Sequence, residues 1–257
     1  MRKDDTIEDL RQKILDWYDG YSWDGKSKVL NPYSLLNFFS QSHFANYWAS
    51  LEPSNKFIHA FVFHDPLAFQ RGALPSKRDD IISVAEVDSL KPAPVLFQTG
   101  YLTVDKIASA IDKPQEYWLK VPNKEVKNHC NSAFAEFLFK TIKKEPETEK
   151  LFFQEALLSE DADTISSLIT TYFIRLPTQR HYPSESLHHG LLFFYFLGMP
   201  NMKTLCEPSG AESSPDIVVK FSDGIYAVIE LKYQKTDAKN DAKLTKTEIK
   251  LITERLA

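Results

Sequence analysis

The fold class expected of this chain is α/β, arranged as two modules. Three observations point there. Stretches with helical spacing recur through residues 7–173, a β-hairpin reads across residues 217–231, and the charged, proline-broken run Lys143-Lys144-Glu145-Pro146-Glu147-Thr148-Glu149-Lys150 separates a first half from a second. The boundary is placed in that run, giving modules 1–145 and 146–257. Apolar residues make up 43% of the chain, ample for a real core.

In order, residues 7–18 read as a helix with Ile7, Leu10, Ile14 and Trp17 on one face, and 32–39 as a short helix capped by Asn31. Residues 45–51 suggest another. Residues 57–63 are aromatic enough for strand or helix, and 71–80 form a polar, loop-like break. Strands are expected at 95–103 and 117–121 around a helical 104–111, with Pro122-Asn123 starting the next helix. A helix over 132–144 buries Phe134, Phe137, Leu138 and Ile142, and two more follow at 151–158 and 163–173, the latter capped by Asp161 or Asp163. Ser184 or Pro183 then starts a helix running to 197, apolar enough to be buried nearly all round. Glu185 and His189 stand four positions apart, so they share one face of its first turns. Residues 202–206 read as a strand with Glu207 at its end.

The hairpin carries the most information. Asp216 opens its first strand, while Glu230 and Lys232 close the second in an otherwise apolar environment and share a face, Leu231 lying on the other. Loop length decides whether Asp216 joins them. A two-residue Asp223-Gly224 turn puts the two acids on opposite faces; a three-residue loop, Ser222-Asp223-Gly224, pairs 221 with 225 and sets Asp216 opposite Glu230. The three-residue loop is the expectation. Two carboxylates and a lysine at one sheet end suit a divalent-metal phosphodiesterase, in which the ion polarises the phosphate and lowers the pKa of a bound water. The plain alternative is a salt-bridged strand end on a solvated face.

Other features exclude more than they assign. No apolar stretch reaches membrane-spanning length, and Met1 is followed by Arg-Lys-Asp-Asp rather than a signal peptide. Cys130 and Cys206 read as buried free thiols in a reducing cytoplasm, not a disulfide scaffold or a zinc site. A net charge of -4 gives no global nucleic-acid signature, so any contact with DNA falls to a local basic surface. Lys235, Lys239, Lys243, Lys246 and Lys250 would form such a stripe on a helix, diluted by Asp237, Asp241 and Glu248. Residues 20–27, Gly-Tyr-Ser-Trp-Asp-Gly-Lys-Ser, satisfy the Walker A pattern, but a helix precedes them and Asn31-Pro32 follows, whereas a phosphate cradle needs a strand before it and a helix beginning at the Lys-Ser.

Asp216 and Glu230-Leu231-Lys232 on an apolar strand after a hairpin resemble the PD-(D/E)XK nuclease core. The surrounding wording is similar to the nuclease domain that ends the bacterial and archaeal AAA-ATPase-like family. Tyr18-Asp19-Gly20-Tyr21 with Trp23, Asn31-Pro32-Tyr33-Ser34, Phe44 with Tyr47-Trp48, Phe97-Gln98-Thr99-Gly100-Tyr101-Leu102-Thr103 and Val121-Pro122-Asn123-Lys124-Glu125-Val126 follow that family's phrases in its order. The resemblance implies a helical, winged-helix-like first module, the lid or linker after an ATPase core, and a restriction-endonuclease-like second module with a mixed sheet, C-terminally incomplete. It implies Mg²⁺ or Mn²⁺ on Asp216, Glu230 and the Leu231 carbonyl, Lys232 positioning the attacking water, Glu185 as a third carboxylate, and His189, more than His188, touching a phosphate or leaving group. It further implies nucleic acid, DNA first, as substrate, and an ATPase partner or a missing upstream ATPase domain. Two departures stand out: Ser213-Ser214-Pro215 replaces the family's Gly-Arg pair before the aspartate, and the chain stops at Leu256-Ala257 without the helix bearing a Gln-Ile pair. They support a second expectation, a nuclease fold kept for binding DNA or protein without cleavage.

Overall fold

In a computed structural model of the chain, residues 6–49, 58–59, 74–78, 81, 92–108, 115–176, 185–206, 216–221, 225–229 and 252–255 are described. They form an α/β protein in two compact units, 1–62 with 68–133 and 63–67 with 134–257.

The first unit opens on α1 (Ile7–Tyr18), whose start is a capping box: the Thr6 hydroxyl accepts from the Asp9 amide and Asp9 accepts from the Thr6 amide. Helix α2 (Pro32–Gln41) begins with proline at its first turn, and Asn31 Oδ1 accepts from the Tyr33 and Ser34 amides. Both match the expectation. Of the helix expected at 45–51, residues 45–46 are irregular, Tyr47-Trp48 make a turn and Ala49 is in a 3-10 helical conformation; residues 50–51 lie outside the described residues.

Strand β1 (Leu74–Lys77) lies within the expected polar break, and the next stretch inverts the expectation. Residues 92–98 are helical, α3 (Pro92–Gln98), and 103–108 form strand β2 (Thr103–Ala108). The reason is local. The Tyr101 and Leu102 amides both donate to the Leu96 carbonyl, and Gly100 takes φ +81°, so the helix closes on a left-handed glycine before β2 starts. Thr103 is buried, its Oγ1 taking the Ser22 amide at 2.6 Å and donating to the Ser22 carbonyl at 2.9 Å, which anchors the strand. Strand β3 (Glu116–Lys120) pairs antiparallel with both neighbours in the order β1-β3-β2.

Helix α4 (Lys124–Ile142) follows, capped by Asn123, whose Oδ1 accepts from the Val126 amide. It is one helix of 19 residues where the sequence suggested two starts. The division between units falls inside it, after Ala133. The charged run expected to be the boundary is a turn inside the second unit: Lys143 adopts φ 55° and α5 (Pro146–Leu158) begins at once with proline in its first turn, five residues earlier than expected.

In the second unit α6 (Ala162–Arg175), capped by Asp161, buries Ile165, Ile169, Tyr172 and Phe173 at helical spacing. Helix α7 (Glu185–Leu197) is the hub. Leu191 to Phe196 are all buried; Phe134 meets Phe194 edge-on at 4.6 Å, Phe139 stacks on Tyr195 at 5.7 Å, Phe153 meets Phe196 at 4.8 Å and Tyr172 meets Tyr195 at 4.4 Å. Its helical neighbours thus cover it from several sides, as its unbroken apolar run predicts. Buried Glu149 accepts from the Tyr195 hydroxyl at 2.7 Å and from Lys144 Nζ at 2.5 Å. The sheet runs β4 (Lys203–Cys206), β5 (Ile217–Lys220), β6 (Ile225–Ile229) and β7 (Ile252–Arg255) in spatial order. Every described pairing in it is antiparallel, which corrects the expected mixed sheet. Each strand simply runs back along its predecessor; a parallel neighbour would need the chain to cross over and return to the same end.

Cys130 is a buried free thiol, as expected, and burial pushes its pKa up. No helix among the described residues is long and apolar enough to cross a membrane.

Candidate functional site

Strands β5 and β6 pair Ile217 with Ile229, Val218 with Val228, Val219 with Ala227 and Lys220 with Tyr226. This is the register expected of the three-residue loop. Alternation does the rest: Ile217, Val219, Phe221, Ala227 and Ile229 are buried on one face, while Asp216, Val218, Tyr226 and Val228 are half-buried and Lys220 exposed on the other. Lys220 Nζ lies 4.8 Å from the Tyr226 ring centroid, and β4 adds exposed Lys203 and Leu205 opposite Lys220 and Val218. The aspartate therefore shares the more open face with cationic and aromatic side chains.

Helix α7 meets the same end of the hairpin. Nε2 of His189 donates to the Asp216 carbonyl at 2.8 Å, and the ring is 4% exposed. His188 faces elsewhere, its ring 5.1 Å from that of Phe173. Glu185 is the first residue of α7, one turn before His189; its side chain lies outside the described residues, as do Glu230, Leu231 and Lys232. The basic run Lys235 to Lys250, Glu207 and Ser213-Ser214-Pro215 lie outside them too. The structure thus brings together Asp216, His189 and the opening turn of α7. The His189 bond to a main-chain oxygen was not foreseen, because spacing places a residue on a helix face without saying what that face meets.

Among the described residues, no three His, Cys, Asp or Glu side chains gather to hold a metal ion. The donor set named from the sequence, two carboxylates and a peptide carbonyl, is all hard oxygen, the chemistry Mg²⁺ and Mn²⁺ prefer, and the described member Asp216 is half-buried rather than sealed in the core.

The Walker-like loop has a different use. Asp24 Oδ1 accepts from the Lys26 and Ser27 amides at 2.8 Å each, and the Ser22 and Ser27 hydroxyls donate to the same carboxylate at 3.0 Å. These bonds hold its pKa well below the usual carboxylate range. A phosphate would need those amides, and the chain's own aspartate occupies them. Gly25 at φ +69° sits against the β2 backbone, where a Cβ would lie 2.9 Å from Lys106 Cα.

Several of the aromatic and polar phrases of the first unit converge on Glu125, which is 0% exposed. It accepts from the Ser34 hydroxyl at 2.8 Å, the Trp48 amide at 2.7 Å and the Ala49 amide at 3.4 Å. Tyr101 donates its hydroxyl to the Ala49 carbonyl at 3.2 Å, and Tyr21 meets Trp48 edge-on. Burial raises the Glu125 pKa against the pull of those bonds.

An uncharacterized protein in the vnfD 5' region of Azotobacter chroococcum mcd 1 is 26% identical to this chain over 227 residues, 84% of this chain and 42% of that protein. The chain therefore spans less than half the length of the curated relative it matches. No family model matches the chain, and no solved structure does.

Proposed function

We propose that the second unit is a metal-dependent phosphodiesterase of the PD-(D/E)XK type acting on nucleic acid, DNA in the first instance. The observation that carries the reading is the β5–β6 register, with Asp216 on the more open face just ahead of Ile217 paired to Ile229. The reading takes Glu230, the next residue, to continue that register and face Asp216. The order helix, strand, strand, strand from α7 through β6 agrees with the core this reading requires. Asp216, Glu230 and the Leu231 carbonyl would hold Mg²⁺ or Mn²⁺, which supplies phosphate polarisation and a more acidic water. Lys232 orients the attacking water and offsets charge, and Glu185 assists from the first turn of α7. His189 is assigned no phosphate contact, since its Nε2 donates to the Asp216 carbonyl.

On the same reading the first unit, with its helices and three-stranded antiparallel sheet, is a winged-helix-like lid or linker of a cytoplasmic protein. The same reading takes an ATPase partner or an upstream ATPase domain. A second reading, binding without cleavage, is favoured by Ser213-Ser214-Pro215 standing where a Gly-Arg pair is expected.

The test is nicking of supercoiled plasmid by the full chain in Mn²⁺. Nicking that disappears in Asp216→Ala and in Lys232→Ala, with melting unchanged, supports hydrolysis. DNA binding without nicking in any divalent metal rejects it in favour of the binding module.

A further inference from the structure

We infer that His189 is a positioning residue, acting on the metal-binding carboxylate through the main chain of Asp216; the inference rests on the phosphodiesterase reading. Asp216 stands immediately before β5, whose first described ladder partners are Cys206 and Ile229 opposite Ile217. The aspartate is thus outside the described ladder. Its carbonyl takes the 2.8 Å bond from His189 Nε2, a donor on a helix. Because a carbonyl oxygen only accepts, that nitrogen carries the proton.

The ring is well placed to hold its position. It is 4% exposed, between Leu187 and the buried run from Leu191, on the helix at the centre of the second unit. Rotating it away would leave the Asp216 carbonyl and a buried ring N–H without each other. The same helix opens four residues earlier with Glu185, about 6 Å along the axis at the usual rise. One hydrogen bond therefore sets the opening turn of α7 against the head of β5, fixing two of the proposed acids relative to each other at the level of the backbone. A metal ligand moved by about an ångström loses much of its effect, and supporting groups behind a ligand commonly matter about 10- to 100-fold in metal affinity.

Three full-length variants test this: His189→Phe and His189→Leu, which keep apolar volume and lose the donor, and His189→Gln, which keeps an N–H within reach. The readouts are Mn²⁺ affinity, from electron paramagnetic resonance of the free ion without nucleic acid, and the Mn²⁺ concentration giving half-maximal plasmid nicking. Melting curves report folding separately. The expected result is about tenfold or greater weakening of Mn²⁺ in whichever of the Phe and Leu variants melts well above the assay temperature, with His189→Gln close to wild type. Wild-type Mn²⁺ affinity in a folded donorless variant overturns the positioning role, and so does a Gln variant as weak as the others. Mn²⁺ binding or nicking that survives Asp216→Ala overturns the phosphodiesterase reading itself, as does a wild-type chain that binds no Mn²⁺.

Discussion

Glu125 in the first unit and Asp216 in the second are both acids set at the junction of a helix with another element, and they are used in opposite ways. Glu125 is sealed, its oxygens taking one hydroxyl and two amides of its own chain. Asp216 is half-buried on the open face of a sheet, and its described tie is through its backbone, to His189. The difference separates two kinds of conspicuous acid. One closes a joint and is satisfied by the fold; the other has its main chain set by the fold while its side chain stands nearer solvent.

Exchange of the two roles gives the sharpest test. Asp216→Asn is expected to remove Mn²⁺-dependent nicking while shifting stability by no more than about 0.5 kcal/mol, as at surface positions. Glu125→Ala should do the reverse. Orphaning the Ser34 hydroxyl and the Trp48 and Ala49 amides costs about 3 kcal/mol or more, read by thermal unfolding, while protein still folded in the assay nicks at the wild-type rate. An Asp216 variant that unfolds, or a folded Glu125 variant that loses cleavage, breaks the comparison.

Acidity sharpens it next. Burial raises the Glu125 pKa, so the folded chain holds that proton more tightly than the unfolded one, whose carboxyl titrates near 4.5. The associated stability is complete below that value and is lost as pH rises through the raised folded value. Melting temperature followed across this range should show the decline in wild type, and Glu125→Gln should flatten it.

A smaller effect is expected at Gly100, where φ is +81° and a Cβ would meet the Trp48 ring at 3.0 Å. Gly100→Ala should cost about 1–2 kcal/mol by disturbing the turn that carries Trp48 towards Glu125. The smallest is at the Walker-like loop: Lys26→Ala should leave ATP binding at the same background as wild type in equilibrium dialysis, because Asp24 holds the amides.

Legibility in the sequence followed how local the deciding forces were. Asn31 before Pro32, the apolar spacing of α1 and the β5–β6 register could all be read because capping, periodicity and loop length act within a few residues. Residues 95–103 read as strand and 104–111 as helix because Val95 and Phe97 favour strands, whereas a left-handed Gly100 and the distant Ser22–Thr103 pairing decide for helix and then strand. The proline in Lys143 to Lys150 looked like a break and is a helix start. Of the candidate site, the strand that Asp216 opens and the helix carrying Glu185 and His189 can be read from pattern, while the roles proposed for these residues come from the family resemblance. The partner of His189 was not, because it depends on which strand lies beneath α7.

Helix α4 passes the division between units without interruption, and this has a practical consequence for anyone dissecting the protein. A gene cut at the charged turn would strip Phe134, Phe139 and Ile142 from the second unit, leaving Phe194 and Tyr195 bare and the side of Gly198 uncovered where the Phe139 ring now presses. Such a product would collect as insoluble aggregate. A cut upstream at Asn123 keeps the whole helix and its cap with the second unit but takes Glu125 from the first, so each unit is best studied in the intact chain.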